Sequence, residues 1–184
     1  MNKLMVRMLA GLIACVGATN AHAQAVDTFF QVNFATDLAS IPTLITLSYD
    51  GANGIANPIC ANAYAFSANG PMLACCSCRL GPNNVRQVSV RNDLLLSANK
   101  TPPDSVVIKL MGSSTGNAAC NAATVGLAGN SLTTGMVAWS RRGSVAFNNG
   151  VPFTPATLSA GELSTILTQC SALEAAGRTC CSCP

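Results

Sequence analysis

The sequence predicts a mainly β protein: a single β-sandwich or open barrel with one C-terminal helix, stapled by disulfides. Three observations point there. Apolar residues recur with period two through most of the chain, the runs are separated by Gly, Pro and Asn turns, and cysteines are dense behind an export signal.

The export signal is tripartite. Lys3 and Arg7 form a short positive leader, Met8 to Ala18 an apolar run, and Ala21-His22-Ala23 the small-x-small pattern cut by signal peptidase. Residues 1–23 are therefore read as a signal peptide and 24–184 as one β-rich domain that begins at Gln24. A competing lipoprotein reading places the cut before Cys15, at Leu12-Ile13-Ala14-Cys15, but the apolar run before that cysteine is short. No segment has the roughly 20 apolar residues of a transmembrane helix. The expected location is secreted or cell-surface, with the bacterial periplasm as a further destination.

Loss of the signal removes His22, the single histidine. Ser-His-Asp and Cys-His catalysis and histidine-containing zinc sites go with it. The mature chain keeps eight basic residues against seven acids, a formal charge of +1, which leaves no footprint for nucleic acid or anionic membrane. Charged residues make up 9% of the chain, against about 25% in ordinary globular proteins, so the surface is polar without being charged. The acids are scattered, and neither a phosphate loop nor a dinucleotide fingerprint occurs. No catalytic residue and no cofactor is assigned. Trp139 beside Arg141 and Arg142 is the nearest thing to a recognition spot, for an anion or a sugar, and solvated arginines at a strand end are the favoured account of it.

The strands follow in order. Phe30, Val32 and Phe34 alternate with polar residues, as do Ile45, Leu47 and Tyr49. Ile59 to Phe66 and Met72 to Leu80 flank Ser67-Ala68-Asn69-Gly70-Pro71, where Asn-Gly signals a hairpin. Val85 to Val90, Ser105 to Met111, Gly135 to Ser140 and Ser144 to Phe147 complete the set, with Asn149-Gly150 turning towards Phe153. Gly112 to Thr134 reads as a long loop pinned at Cys120.

One helix, about 159–176, opens on the capping box Ser159-Ala160-Gly161-Glu162. Leu163, Ile166, Leu167, Cys170 and Leu173 fall on its core face, and Gly177 ends it. A cysteine-rich tail, 178–184, follows.

The nine mature cysteines are Cys60, Cys75, Cys76, Cys78, Cys120, Cys170, Cys180, Cys181 and Cys183. In an exported chain all are disulfide candidates, and an odd count leaves at least one over. Cys-Cys-Ser-Cys occurs twice, at 75–78 and 180–183. If Ala68 to Gly70 form a three-residue loop, Cys60 lies opposite Cys78 and diagonal to Cys76, which predicts a bridge between them. Cys75, on the other face, is left to reach Cys120, Cys170 or the tail. Each tetrapeptide also contains Cys-x-x-Cys, so the alternative is a four-sulfur soft-metal site at Cys75, Cys78, Cys180 and Cys183, or a thiol-redox pair.

The run Ile59 to Leu80, Ser-Val-Arg-Asn-Asp-Leu at 89–94, Val-Val-Ile-Lys-Leu at 106–110, Leu-Ser-Ala-Gly-Glu-Leu at 158–163 and the terminal Cys-Ser-Cys resemble uncharacterised exported bacterial Cys-rich proteins. The resemblance implies export and a shared cysteine framework, and it brings no catalytic or binding residue.

The function expected from these readings is a non-enzymatic structural, surface or self-assembling protein of appendage or matrix type. Its expected partners are copies of itself or a cell-surface component. The alternative is an extracellular soft-metal-binding or thiol-redox module.

Overall fold

The structure, a computed structural model, describes residues 28–51, 57–98, 100–115, 119–143 and 150–178. The signal segment, the predicted strand at Ser144 to Phe147 and the cysteines at 180, 181 and 183 lie outside the described residues.

Seven of the predicted segments become strands, and two short strands that the sequence reading did not name follow them, giving nine among the described residues: β1 (Phe30–Thr36), β2 (Thr43–Tyr49), β3 (Ile59–Ser67), β4 (Met72–Leu80), β5 (Val85–Ser89), β6 (Ser105–Ser114), β7 (Met136–Arg142), β8 (Val151–Pro152) and β9 (Thr154–Pro155). They form two sheets, β4-β3-β6-β1-β9 and β5-β2-β7-β8, antiparallel at every pairing and not closed into a barrel. This is the sandwich of the two predicted alternatives. The switch between sheets near the end of the strand set is made by Phe153, a buried ring between β8 and β9 whose N–H donates to the Ala138 carbonyl.

At β3 the five-stranded sheet is buried on both faces, which explains why that strand reads as a nearly continuous apolar run rather than an alternating one. Ile59, Ala61, Ala63 and Ala65 of β3, with Ala74, Cys76, Cys78 and Leu80 of β4, face the second sheet, where Ile45, Leu47 and Ala138 meet them. The small residues keep the two layers close. Tyr64 and Phe66 of β3, with Cys75 of β4 and Met111 of β6, face the other way and carry the helix α1 (Ala160–Ala175).

Helix α1 starts and stops as its sequence requires. The Ser159 hydroxyl accepts the Glu162 N–H at 3.1 Å, Ile166 and Cys170 are fully buried, and Leu163, Leu167 and Leu173 lie half-buried against the sheet. Gly177 adopts φ +69, and Gly177 and Arg178 donate back to Glu174 and Leu173, a glycine-terminated Schellman end.

Three local differences from expectation have physical causes. The strand expected to reach Val90 ends at Ser89, where the Ser89 side chain accepts from Asn92 N–H and Asp93 accepts from Ser89 N–H. That reciprocal cap starts a π-helical turn, Val90–Leu96, which drives Val90, Leu94 and Leu95 into the inter-sheet core. β6 runs on to Ser114 because Gly112 lets the Thr133 backbone approach; a Cβ there would stand 2.6 Å from the Thr133 carbonyl oxygen. Glu162, assigned to the capping box, turns its carboxylate to Lys109 instead.

Candidate functional site

The chemistry-bearing residues of the described chain converge on β4 and the face of the sheet beneath α1. Their placement depends on one extra residue. The hairpin has the predicted three-residue loop: Gly70, at φ +98, donates to Ser67, and Ser67 donates to Pro71. Phe66 then pairs with Met72 in the expected register. Beyond that point Ala65 pairs with Ala74, so Leu73 is a bulge, and every later pair is displaced by one.

That displacement overturns the predicted Cys60 bridge. Cys60 pairs with Arg79, while Ala61 faces Cys78 and Ala63 faces Cys76. A one-residue slip exchanges faces, so Cys60 projects away from Cys76 and Cys78. Cys60 bonds instead to Cys120, Cα to Cα 5.5 Å, and this is the pin expected for the 112–134 segment. Cys75 bonds to Cys170 across 5.7 Å and ties β4 to α1, one of the partners its face allowed. Cys76 and Cys78, buried in the inter-sheet core, are disulfide-bonded as well, and the two bridges above use every other described cysteine.

The alternative four-sulfur set is not brought together on β4, because Cys75 faces the helix and Cys78 the second sheet. Cys180 and Cys183 lie outside the described residues. A different trio does converge: the ligand atoms of Cys75, Cys170 and Glu174 lie within 4.8 Å of one another. The two sulfurs are bonded to each other, so neither is the thiolate that a zinc or soft-metal site uses.

Between the bridges runs a buried polar network. Asn62, fully buried, donates to the Met111 carbonyl at 3.0 Å, the Ser113 hydroxyl at 2.9 Å and the Cys60 carbonyl at 3.2 Å, and accepts from Ser77 at 2.6 Å. It thereby locks the three strands β4, β3 and β6 in register beside the Cys60 bridge. Tyr64 donates its hydroxyl to the Ala122 carbonyl, holding the short 3-10 turn Ala122–Thr124 onto the same face.

Beside this network lies a groove of about 460 Å3 between α1 and the sheet. Its floor is Phe66 and Val107, its wall Ile166 and Gln169. At its rim Lys109 pairs with Glu162 at 2.6 Å and stands 4.8 Å from the Phe66 ring centroid. Lys109 was legible as the single charge in Val-Val-Ile-Lys-Leu, and its position on the helix-covered face requires the register to be seen. Phe34 and Phe66 both pair with Val107, so these three side chains make one apolar row that continues past the helix. Phe34, at its open end, is 69% exposed.

The outer face of the second sheet carries Trp139, cross-strand from Thr46 and Pro152. The two neighbouring arginines part company: Arg141 pairs with Leu44, and Arg142 forms an ion pair with Asp37. The predicted recognition spot is thus reduced to Trp139 and Arg141 on one strand face. Among the described residues no helix is long and apolar enough to cross a membrane.

In comparisons with known proteins, no family model, curated protein or solved structure matches this chain. The class defined by the described structure is a disulfide-bonded β-sandwich with one α-helix packed on the outer face of one sheet.

Proposed function

We propose that this is an exported structural protein of the cell surface or its matrix, held rigid by disulfides and able to assemble with copies of itself. The observation that carries the assembly reading is Phe34. A large ring 69% exposed, continuous with Val107 and Phe66, is an apolar ledge on a molecule with few charges to keep copies apart. Burial of such a ring is worth about 1.5–3 kcal/mol, and a two-fold contact would bury it twice.

Pairing along the edge of the N-terminal strand is a second route to assembly, and the described sheet leaves little of that edge open. β1 lies between β6 and β9, and beyond the β9 contact the Phe34 N–H is taken by the Asn33 side chain at 2.6 Å. A blunted edge favours association through side chains over main-chain strand addition. The covalent framework supports export, because disulfides persist in oxidising compartments and are rare in the cytosol.

The test is light scattering of the protein that begins at Gln24, with and without Phe34→Ser. Concentration-dependent dimers or larger species that vanish in the variant support the reading. A wild-type protein that stays monomeric into the millimolar range overturns it.

The soft-metal or thiol-redox alternative draws on Cys75, Cys170 and Glu174, which would offer two thiolates and a carboxylate once the bridge is reduced. Metal titration of reduced protein tests it: stoichiometric binding lost in Cys170→Ser supports this alternative, and no uptake removes it.

A further inference from the structure

We infer that the outer face of the second sheet binds an acidic polysaccharide, with a uronic-acid ring stacked on Trp139 and its carboxylate held by Arg141. This goes beyond the assembly reading and does not rest on it.

The placement follows from the alternation of β7. Met136, Ala138 and Ser140 are buried towards the first sheet, where Ser140 accepts from Asn33, so Trp139 and Arg141 project from the opposite face. Residues two apart on a strand have Cα atoms roughly 6.5–7 Å from each other, which puts the indole and the guanidinium in one patch. On the same face Thr46 of β2 lies across from Trp139, and Gln87 of β5 lies across from Thr46. An indole, a hydroxyl and an amide thus form one row over three strands. Among the described residues, the side chains of Thr46, Gln87 and Arg141 have no hydrogen-bond or ion-pair partner.

The indole is left open. Trp139 is 38% exposed, and the chain that passes its edge does so at Gly150, where a Cβ would stand 3.6 Å from the Trp139 Cβ and 4.0 Å from its Cδ1. A side chain at that position would begin to cover the ring, and glycine has none.

Charge decides the class of ligand. Arg142 is turned to the other face and paired with Asp37, while Arg141 lies half-buried along the sheet. Strands β2, β5, β7 and β8 contain no Asp or Glu, so nothing on them neutralises Arg141. Such a guanidinium selects a carboxylate, which it takes through two parallel N–H donors. A simple anion would leave the indole and the uncharged row unused. A sugar acid uses all of them: its ring C–H groups meet the negative face of the indole, its hydroxyls bond Thr46 and Gln87, and its carboxylate meets Arg141. A flat sheet face suits an extended chain of such rings, whereas isolated small molecules take enclosed clefts.

Trp139 is the sole tryptophan of the chain, so its emission reports the site directly. The experiment is titration of the native protein with polygalacturonate, with fully methyl-esterified polygalacturonate as the uncharged control. The result expected is a saturable change in emission, with affinity for the acidic polymer about tenfold or more above that for the ester, the factor that one charge-assisted hydrogen bond supplies. Arg141→Gln should remove the difference, and Arg79→Gln, which deletes an exposed charge from β4, should keep it. Retention on immobilised polygalacturonate, a readout that needs no indole, should be lost in Trp139→Ala. An unchanged emission, equal affinity for the two polymers, undiminished retention of Trp139→Ala, or an equal loss in Arg79→Gln, the mark of diffuse attraction to a basic protein, would each overturn the inference. The comparison of the two polymers on wild type stands even if a variant fails to fold. Phe34→Ser should bind as the wild type does, so failure of self-association and failure of this site are read separately.

Discussion

Cys75 and Cys76 are neighbours in sequence and belong to different cores: Cys75 is bonded to Cys170 beneath the helix, and Cys76 is buried between the sheets. A vicinal pair within a strand must point to opposite faces, so it can fasten one strand to both of its covering layers. The energetic consequence is testable with the pair Cys75→Ser and Cys170→Ser. The bridge closes a separation of 95 residues, and its loss is expected to cost about 3 kcal/mol, lowering Tm by roughly 6–12 °C for a domain of this size. Calorimetry under non-reducing conditions measures this. An unchanged Tm would mean that packing of Ile166 and the leucines holds α1 without the bridge.

Asn62 is expected to be the most sensitive uncharged position. Asn62→Ala leaves the Ser77 and Ser113 hydroxyls and the Met111 carbonyl without their buried partner. The cost should be about 2–3 kcal/mol, read as a fall in urea midpoint at unchanged slope. A loss below about 0.5 kcal/mol would show that water replaces the side chain.

How much of this was legible in advance follows from particular residues. The Ser159 cap, the Gly177 stop and the leucine stripe of the helix are local signals, and each appears where its sequence placed it. The hairpin loop at Ala68 to Gly70 was equally legible. The bulge at Leu73 was not, because nothing in Met-Leu-Ala distinguishes a bulged residue from a paired one, and that single residue decided the partner of Cys60. The groove shared the same obscurity: Phe34, Val107 and Phe66 lie far apart in sequence and meet only through β6.

The Lys109–Glu162 pair should contribute modestly to the docking of α1. Its side chains are 23% and 29% exposed, so solvent screens the attraction, and Glu162→Gln is expected to cost about 1 kcal/mol. The distinguishing signature is salt. Wild-type stability should fall between low and high ionic strength by more than that of the variant, and parallel salt profiles would remove the electrostatic role.

Processing is expected after Ala23. Intact mass and amino-terminal sequencing of native protein should give Gln24 as the first residue, and an acylated Cys15 at the terminus would establish the lipoprotein route instead.

On the function proposed above, these sulfurs form a structural framework in an oxidising compartment. That role is tested most directly by counting thiols and metal together on protein taken from its native compartment, alkylated in denaturant before any reductant is added. With nine cysteines after residue 23, the account predicts at most one alkylated thiol per chain and no stoichiometric metal. Several alkylated cysteines, with Cys75 and Cys170 among them and a metal ion bound in proportion, would contradict it.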